Sequence, residues 1–432
     1  MQTGQASAPP LPALVDHSGL RFLIVFLLYL AQGVPTGMFF FAVPAWMAVN
    51  KASAADVGFV LAATTLPWSL KLINGVIMDR FAFPPMGRRR PWIIGAQSTI
   101  AVVLILIAIV DPAPSEIAVL AAFAFATNLA ITFQDVGIDG LACDVIPESE
   151  QGRANGFMFG AQAIGIAAGA SIGGGLMICH GIGTAALAQA IFVAVIITAI
   201  LVVRERPGER LLPWHPGVAS QETLNLQLGG FLPILKSLLA AMLRRDILIV
   251  SLGAFLGVVA CGLFYGLGPL FAAQITGWKG DEFTEWSGHA NLVGGLLGAL
   301  VFGFVAERLG ARRLLMIYCV LIIATAAAAL VLQPVWANPR LLIGLIFVVN
   351  ALQILNLVAW SALAMRLVSP AVAATQFSLF MACGNFGNSA ASALLGPVDA
   401  IGGMRALFMV MGGAGLLSLA VLAFANRRIV GD

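Results

Sequence analysis

Apolar residues run along this chain in blocks of about 20, the length an α-helix needs to cross a bilayer. Short polar turns separate them. Twelve blocks read as transmembrane helices, at 20–48, 55–79, 91–110, 116–142, 153–179, 184–203, 246–274, 285–306, 312–333, 339–366, 371–397 and 402–426. The polar stretch from Arg204 to Arg245 is the longest interruption, contains Pro207, Pro213 and Pro216, and carries an amphipathic segment, Phe231 to Leu243. The pattern predicts an all-α membrane protein with twelve transmembrane helices in two pseudo-symmetric six-helix bundles, 20–203 and 246–426. A tail (1–19), a linker (204–245) and a second tail (427–432) complete it, all three expected on the cytoplasmic side.

Composition narrows this further. With 60% hydrophobic and 10% charged residues, no soluble domain fits. The first apolar block lacks a small-residue cleavage site, so it reads as a retained helix. A net charge of +3 leaves no footprint for nucleic acid. The five cysteines are scattered singly without metal-ligand spacing, so no metal is expected. With both termini inside, only Lys51, Lys279, Arg340 and Arg405 of the 23 basic residues fall outside, while Lys71 falls within a span. That bias predicts cytoplasmic termini.

The two halves repeat. Ala31–Gly37 (AQGVPTG) matches Ala260–Gly266 (ACGLFYG). Gly75–Arg80 (GVIMDR) followed by Gly87–Arg90 (GRRR) matches Gly303–Arg308 (GFVAER) followed by Gly310–Arg313 (GARR). Paired loops of this form, on a twelve-span frame, resemble the major facilitator superfamily. The resemblance implies alternating access, with helices 1, 4, 7 and 10 lining a cavity. Within it the chain resembles the AmpG-like branch of peptide and acetyl-CoA transporters. That likeness rests on Gln32–Pro35, Ala45–Met47, Lys71 before Asp79–Arg80, Pro84–Arg90 and Phe133–Gly156. AmpG-like proteins import anhydro-muropeptides with protons. The phrase LPWSLK (Leu66–Lys71) is also similar to RhtX- and FptX-type siderophore importers.

Several constellations carry chemistry. Asn128, Thr132, Asp135 and Asp139 share one face of the fourth helix. Two acids in an apolar helix require a cavity or a partner. Lys71 lies 8 residues before Asp79, and Asp135 lies 9 before Asp144, so the opposite charges sit at matching depth. Lys71, Asp135 and Asp139 are the candidate proton-coupling residues; a permanent ion pair clipping helix 2 to helix 4 is the other reading. Gly75, Asp79, Arg80, Arg88, Arg89, Asp144, Arg153, Glu307, Arg308 and Arg312 form a candidate conformational latch. In it, Asp79 would face the N-terminus of helix 11, and Arg80 and Arg88–Arg90 would pair with Asp144, Glu148 or Glu150. The same arginines also set topology.

Candidate substrate-binding residues are Tyr29, Gln32, Thr36, Asn128, Thr132, Gln162, Tyr265, Asn350, Gln353, Asn356, Trp360 and Asn385. They suit an uncharged, hydrogen-bonding pocket with aromatic platforms. Asn and Gln also bridge helices simply as packing. Gln32–Pro35 and Gly262–Pro269 are expected to break helices 1 and 7.

The chain shows no phosphate-binding loop and no nucleophile constellation, so neither ATP-driven transport nor an enzyme is expected. The expected function is a monomeric proton-coupled importer in a bacterial inner membrane, driven by the proton gradient without a cofactor. Its expected substrate is a muropeptide or related glycopeptide. Siderophore import, efflux, and a sensor that has lost transport are the alternatives.

Overall fold

The computed structural model describes residues 12–227, 230–278 and 282–424. Most of the N-terminal tail, Lys279, and the C-terminal tail lie outside the described residues. Among the described residues, ten helical runs are long and apolar enough to cross a membrane. Two of these are 54 residues long, about 80 Å if straight. Each is instead interrupted at glycine. Gly181 has φ 85° within the first, and Gly402 and Gly403 leave helical geometry within the second. Positive φ at Gly181 and Gly403 is a conformation that side chains with a Cβ rarely adopt.

Each long run therefore supplies two spans, giving twelve. They are α1 (Ser18–Val49), α2 (Ala55–Arg80), α3 (Arg90–Val110), α4 (Ile117–Val145), α5 (151–180) and α6 (182–201) in the first half. The second half holds α7 (Arg245–Thr276), α8 (Glu282–Leu309), α9 (Ala311–Val331), α10 (Pro339–Leu367), α11 (373–401) and α12 (404–423). The amphipathic segment of the linker is a helix, Phe231–Met242. Its Phe231, Leu232, Leu235 and Leu239 are exposed.

The expected breaks in α1 and α7 are not where the sequence placed them. Gln32–Pro35 stays helical, and α1 instead widens to a π turn over Met38–Ala42. Likewise α7 stays helical to Phe271 and widens over Ala272–Thr276. In both helices the wide turn begins three residues after a proline, Pro35 or Pro269. A wide turn absorbs the local misfit that the missing proline N–H and the bulk of the ring create. Gly33 serves packing, not breakage: α1 lies so close to α5 that a Cβ there would stand 2.9 Å from the Cα of Gly165.

The halves meet along two seams at the end of the molecule that carries the arginine-rich loops, here termed the basic face. In one, α5 lies on α8. A Cβ on Gly156 or Gly160 would stand 2.5 Å from the carbonyl oxygen of Gly298 or Gly295, respectively. Small residues let helix backbones approach where no hydrophobic effect between helices drives association. In the other seam α2 lies on α11, with Gly75 against Ala374 and Thr375.

Candidate substrate, coupling and gating sites

Lys71 stands at a bend. Pro67 cannot donate a backbone hydrogen bond, and α2 tightens at Leu70, whose N–H bonds to the Pro67 carbonyl. The helix resumes at Lys71. Its side chain turns into the first bundle and is 5% exposed. The ammonium forms an ion pair with Asp135 and another with Asp139 at 3.2 Å. The two acids are 3% and 0% exposed.

Second partners come from α1. The Tyr29 hydroxyl donates to Asp139 Oδ1 and Gln32 Nε2 donates to Asp135 Oδ1 at 2.8 Å. Spacing alone left open which acid Lys71 would meet; the structure brings it to both. With every group ionised, the cluster holds two negative charges against one positive.

Beside the cluster, α2 and α4 are zipped by neutral bonds from residues on either side of Lys71. Trp68 Nε1 donates to Asn128 Oδ1 at 3.1 Å, and Asn74 Nδ2 donates to Thr132 Oγ1 at 3.0 Å. Thr36 donates to the Gln32 carbonyl within its own helix. Asn350 donates to Asn291 on α8. Asn128, Thr132, Thr36 and Asn350 thus have packing partners in this state. Gln353, Asn356, Trp360 and Asn385 instead line one cavity of about 130 Å³ between α7, α10 and α11. Gln162 and Tyr265 are half-buried and lie outside that lining.

The gating residues form a connected lattice at the basic face. Asp79 ends α2 and accepts the Thr375 N–H at 2.8 Å and the Thr375 hydroxyl at 2.7 Å, at the start of α11. A helix N-terminus offers unsatisfied N–H groups and a favourable dipole for a carboxylate. Its other oxygen accepts from Arg89 at 2.6 Å, and Arg89 also reaches Asp144 at 3.0 Å. Arg88 spans the halves as well, donating to the carbonyls of Pro370 and Ala371. At the other seam Arg153 pairs with Glu307 at 3.0 Å.

Three expected pairings are replaced. Arg80 lies over the rings of Phe81 and Phe231, not on an acid. Arg90 donates to the carbonyls of Ile200 and Leu201, where the end of α6 leaves acceptors unsatisfied, and to those of Arg210 and Leu211 in the linker. Glu150 is taken by Arg21 at 2.7 Å. In the second half Arg308 is exposed and Arg312 donates to the Leu422 carbonyl.

Sequence reasoning missed Glu205. This linker residue is buried and accepts the backbone N–H groups of Arg88, Arg89 and Arg90. It caps the start of α3 and fixes the loop from which the arginines project. A signal was present: RERPGER follows the sixth span directly, with four turn-forming or acidic residues among its bases. Glu209 lies beside it, accepting from Thr223 Oγ1 and the Arg206 N–H.

The chain matches the model of the Major Facilitator Superfamily over residues 22–392 and 284–430. It belongs to that superfamily and is a multi-pass membrane transporter. Its similarity to the anhydromuropeptide permease of Escherichia coli K12 is 24% identity over 398 residues, covering 88% of this chain and 73% of the permease. Among solved structures it resembles the human organic anion transporter MFSD10, with a TM-score of 0.71 and 15% identity, over 94% of this chain and 99% of that one. The transporter FucP in its outward conformation gives 0.68 and 11% identity, over 94% and 98%.

Two outcomes test the lattice. Asp79→Asn leaves Arg89 short of a buried counter-charge, and breaking such a pair costs about 3–5 kcal/mol. Its melting temperature in detergent falls, and falls further than that of Thr375→Val, which loses one hydrogen bond worth about 1 kcal/mol. Equal melting of both variants with the parent removes Asp79 from the seam.

The second outcome concerns pH. Burial, and then the Glu205 carboxylate, push Glu209 from 4.5 up to about 7. An acid whose folded value is raised favours the folded linker at acidic pH, and that contribution is lost as pH rises from about 4.5 to about 7. Hydrogen exchange across residues 205–225, corrected for intrinsic rates, therefore quickens through this window. Glu209→Gln weakens the change, leaving the part that Glu205, also raised by burial, contributes.

Proposed function

We propose that this chain is a proton-coupled importer of an amphiphilic glycopeptide of the anhydro-muropeptide kind, working by alternating access in a bacterial inner membrane. In this reading the basic face is cytoplasmic, as the distribution of Lys and Arg favours, and the structure is closed on that side. The observation that carries the proposal is the buried triad of Lys71, Asp135 and Asp139. Buried ionisable groups inside a transporter mark ion or substrate pathways.

The triad holds one acid more than it has bases. A single proton removes that excess, and it does so at a site reached only from one side at a time. Protonation of one aspartate loosens its hold on Lys71, and with it the contact between α2 and α4. Because α2 also carries Asp79, loosening it weakens the seam with α11. Coupling thus runs along one helix, from the proton site to the gate about 12 Å away. The muropeptide assignment draws on the permease likeness together with the neutral, aromatic cavity in the other half.

Uptake into proteoliposomes with an imposed inward pH gradient tests this. Anhydro-muropeptide accumulates, and collapsing the gradient stops accumulation. Asp135→Asn with Asp139→Asn lowers gradient-driven uptake at least about tenfold while exchange without a gradient persists, as expected when ionisable groups of a pathway are removed. Unchanged gradient-driven uptake in the double variant sinks proton coupling through this triad. Uptake of ferric siderophores in place of muropeptide sinks the substrate assignment.

A further inference from the structure

The amphipathic linker helix, Phe231–Met242, is pinned at three points to the basic-face ends of spans. At its start the Phe231 ring meets the ring of Phe81, which directly follows α2, with centroids 5.7 Å apart. Midway, Ser237 Oγ accepts from Gln376 Nε2 at 3.3 Å, at the start of α11. At its end, Leu243 and Arg244 lead directly into α7. The ends of these spans mark one level, the boundary of the membrane. The helix, 12 residues and about 18 Å long, therefore lies along that boundary.

Its faces differ. Ile234, Leu238 and Ala241 are buried. Leu232, Leu235, Leu239 and Leu243 recur every three or four residues on another face and are exposed. A boundary helix with an apolar outer face rests in the headgroup and acyl region of a leaflet. The surface beside it continues the lipid-facing side of α2. There Leu66, Leu70 and Ile73 form an exposed apolar stripe that runs down to Arg80 and the exposed Phe81.

Charge points to the kind of lipid. From Phe231 to Arg245 the chain carries Lys236, Arg244 and Arg245, all exposed, and no acid. Beside the start of the helix, Arg80, Phe81, Phe83, Trp92 and Gln227 line a recess of about 340 Å³. Among the described residues Arg80 is the one charge in its lining. The acid next to Arg80, Asp79, is held by Arg88, Arg89 and Thr375. The Arg80 guanidinium lies instead 5.1 Å and 5.7 Å from the ring centroids of Phe81 and Phe231. Trp92 donates its indole N–H to the Phe81 carbonyl at 2.7 Å. Tryptophan gathers at headgroup level, where one end of the ring is wet and the other apolar.

We infer that this recess binds the phosphate headgroup of an anionic phospholipid in the basic-face leaflet, with Arg80 as the phosphate ligand. A guanidinium meets phosphate oxygens through two parallel N–H groups. The acyl chains cover Phe81, Phe231 and the outer leucines of the helix. Lys236, Arg244 and Arg245 draw the same leaflet, each basic residue adding to its attraction. A free phosphate satisfies Arg80 but leaves the apolar side chains in water. The site lies apart from the triad and is independent of which solute the transporter carries.

Native mass spectrometry of the full chain tests this, with dioleoyl phosphatidylglycerol or dioleoyl phosphatidylcholine titrated into the detergent solution. The parent retains phosphatidylglycerol at about tenfold lower concentration than phosphatidylcholine. Arg80→Gln weakens phosphatidylglycerol retention about fivefold, the effect of one basic residue at an anionic surface. Arg308→Gln, at the exposed counterpart in the second half, leaves it unchanged. Gln227→Glu, an exposed linker position in the same lining, sets a carboxylate in the recess and gives a similar loss without altering α2. Millimolar inorganic phosphate leaves the lipid bound. Equal retention of the two lipids by the parent overturns the inference. So does retention of phosphatidylglycerol that is unchanged in both Arg80→Gln and Gln227→Glu, or that falls equally in Arg308→Gln. Displacement by inorganic phosphate overturns the lipid as the occupant.

Discussion

A lysine ammonium buried in a membrane bundle must be matched by negative charge, and Lys71 is matched twice over. Desolvating three ionised groups is expensive, and only their mutual attraction and close hydrogen bonds offset it. The surrounding side chains answer to that constraint. Tyr29 and Gln32 of α1 donate to the two aspartates, and the bend at Pro67–Leu70 aims the lysine inward. Asn74 and Trp68 hold α2 against α4 on either side. The triad is therefore a three-helix junction of α1, α2 and α4.

The same helix that carries Lys71 ends in the gate. Asp79 reaches across to the N-terminus of α11 while Arg89 and Asp144 tie it back to its own half. The other seam depends on glycine pairs that bring α5 and α8 into backbone contact, secured by Arg153 and Glu307. The two seams differ in kind. One is a charged lattice anchored by the linker through Glu205, and the other is close packing joined by the Arg153–Glu307 ion pair. A carboxylate at a helix N-terminus is a bistable contact: it is complete when the helices meet and readily hydrated when they part.

Much of this was legible in the sequence because membrane constraints are strong. Twelve apolar blocks gave twelve helices, and matching depth brought Lys71 to the helix 4 acids. The repeat of Asp79–Arg90 in Glu307–Arg313 pointed to the seams. What the sequence hid was set by tertiary geometry. Nothing local distinguishes Arg90, which satisfies carbonyls at the end of α6, from Arg89, which pairs with two acids. Glu205 looked like one charge in a polar linker, yet it is buried under the loop it caps. The Gly33–Pro35 phrase looked like a helix break because both residues disfavour helices. Packing against α5 accounts for the glycine, and a wide turn farther along absorbs the proline.

The account rests on protonation at the Lys71 junction being transmitted to the seam between the halves. Spin labels at residues 83 and 309, one in each half at the basic face, report that seam directly. Double electron–electron resonance distances in nanodiscs with muropeptide present, recorded as pH is lowered, should shift from a short to a longer population. The shift should vanish when Asp135 and Asp139 are both replaced by asparagine. The same pH-dependent shift in that double variant would contradict the account, because the signal would then arise elsewhere.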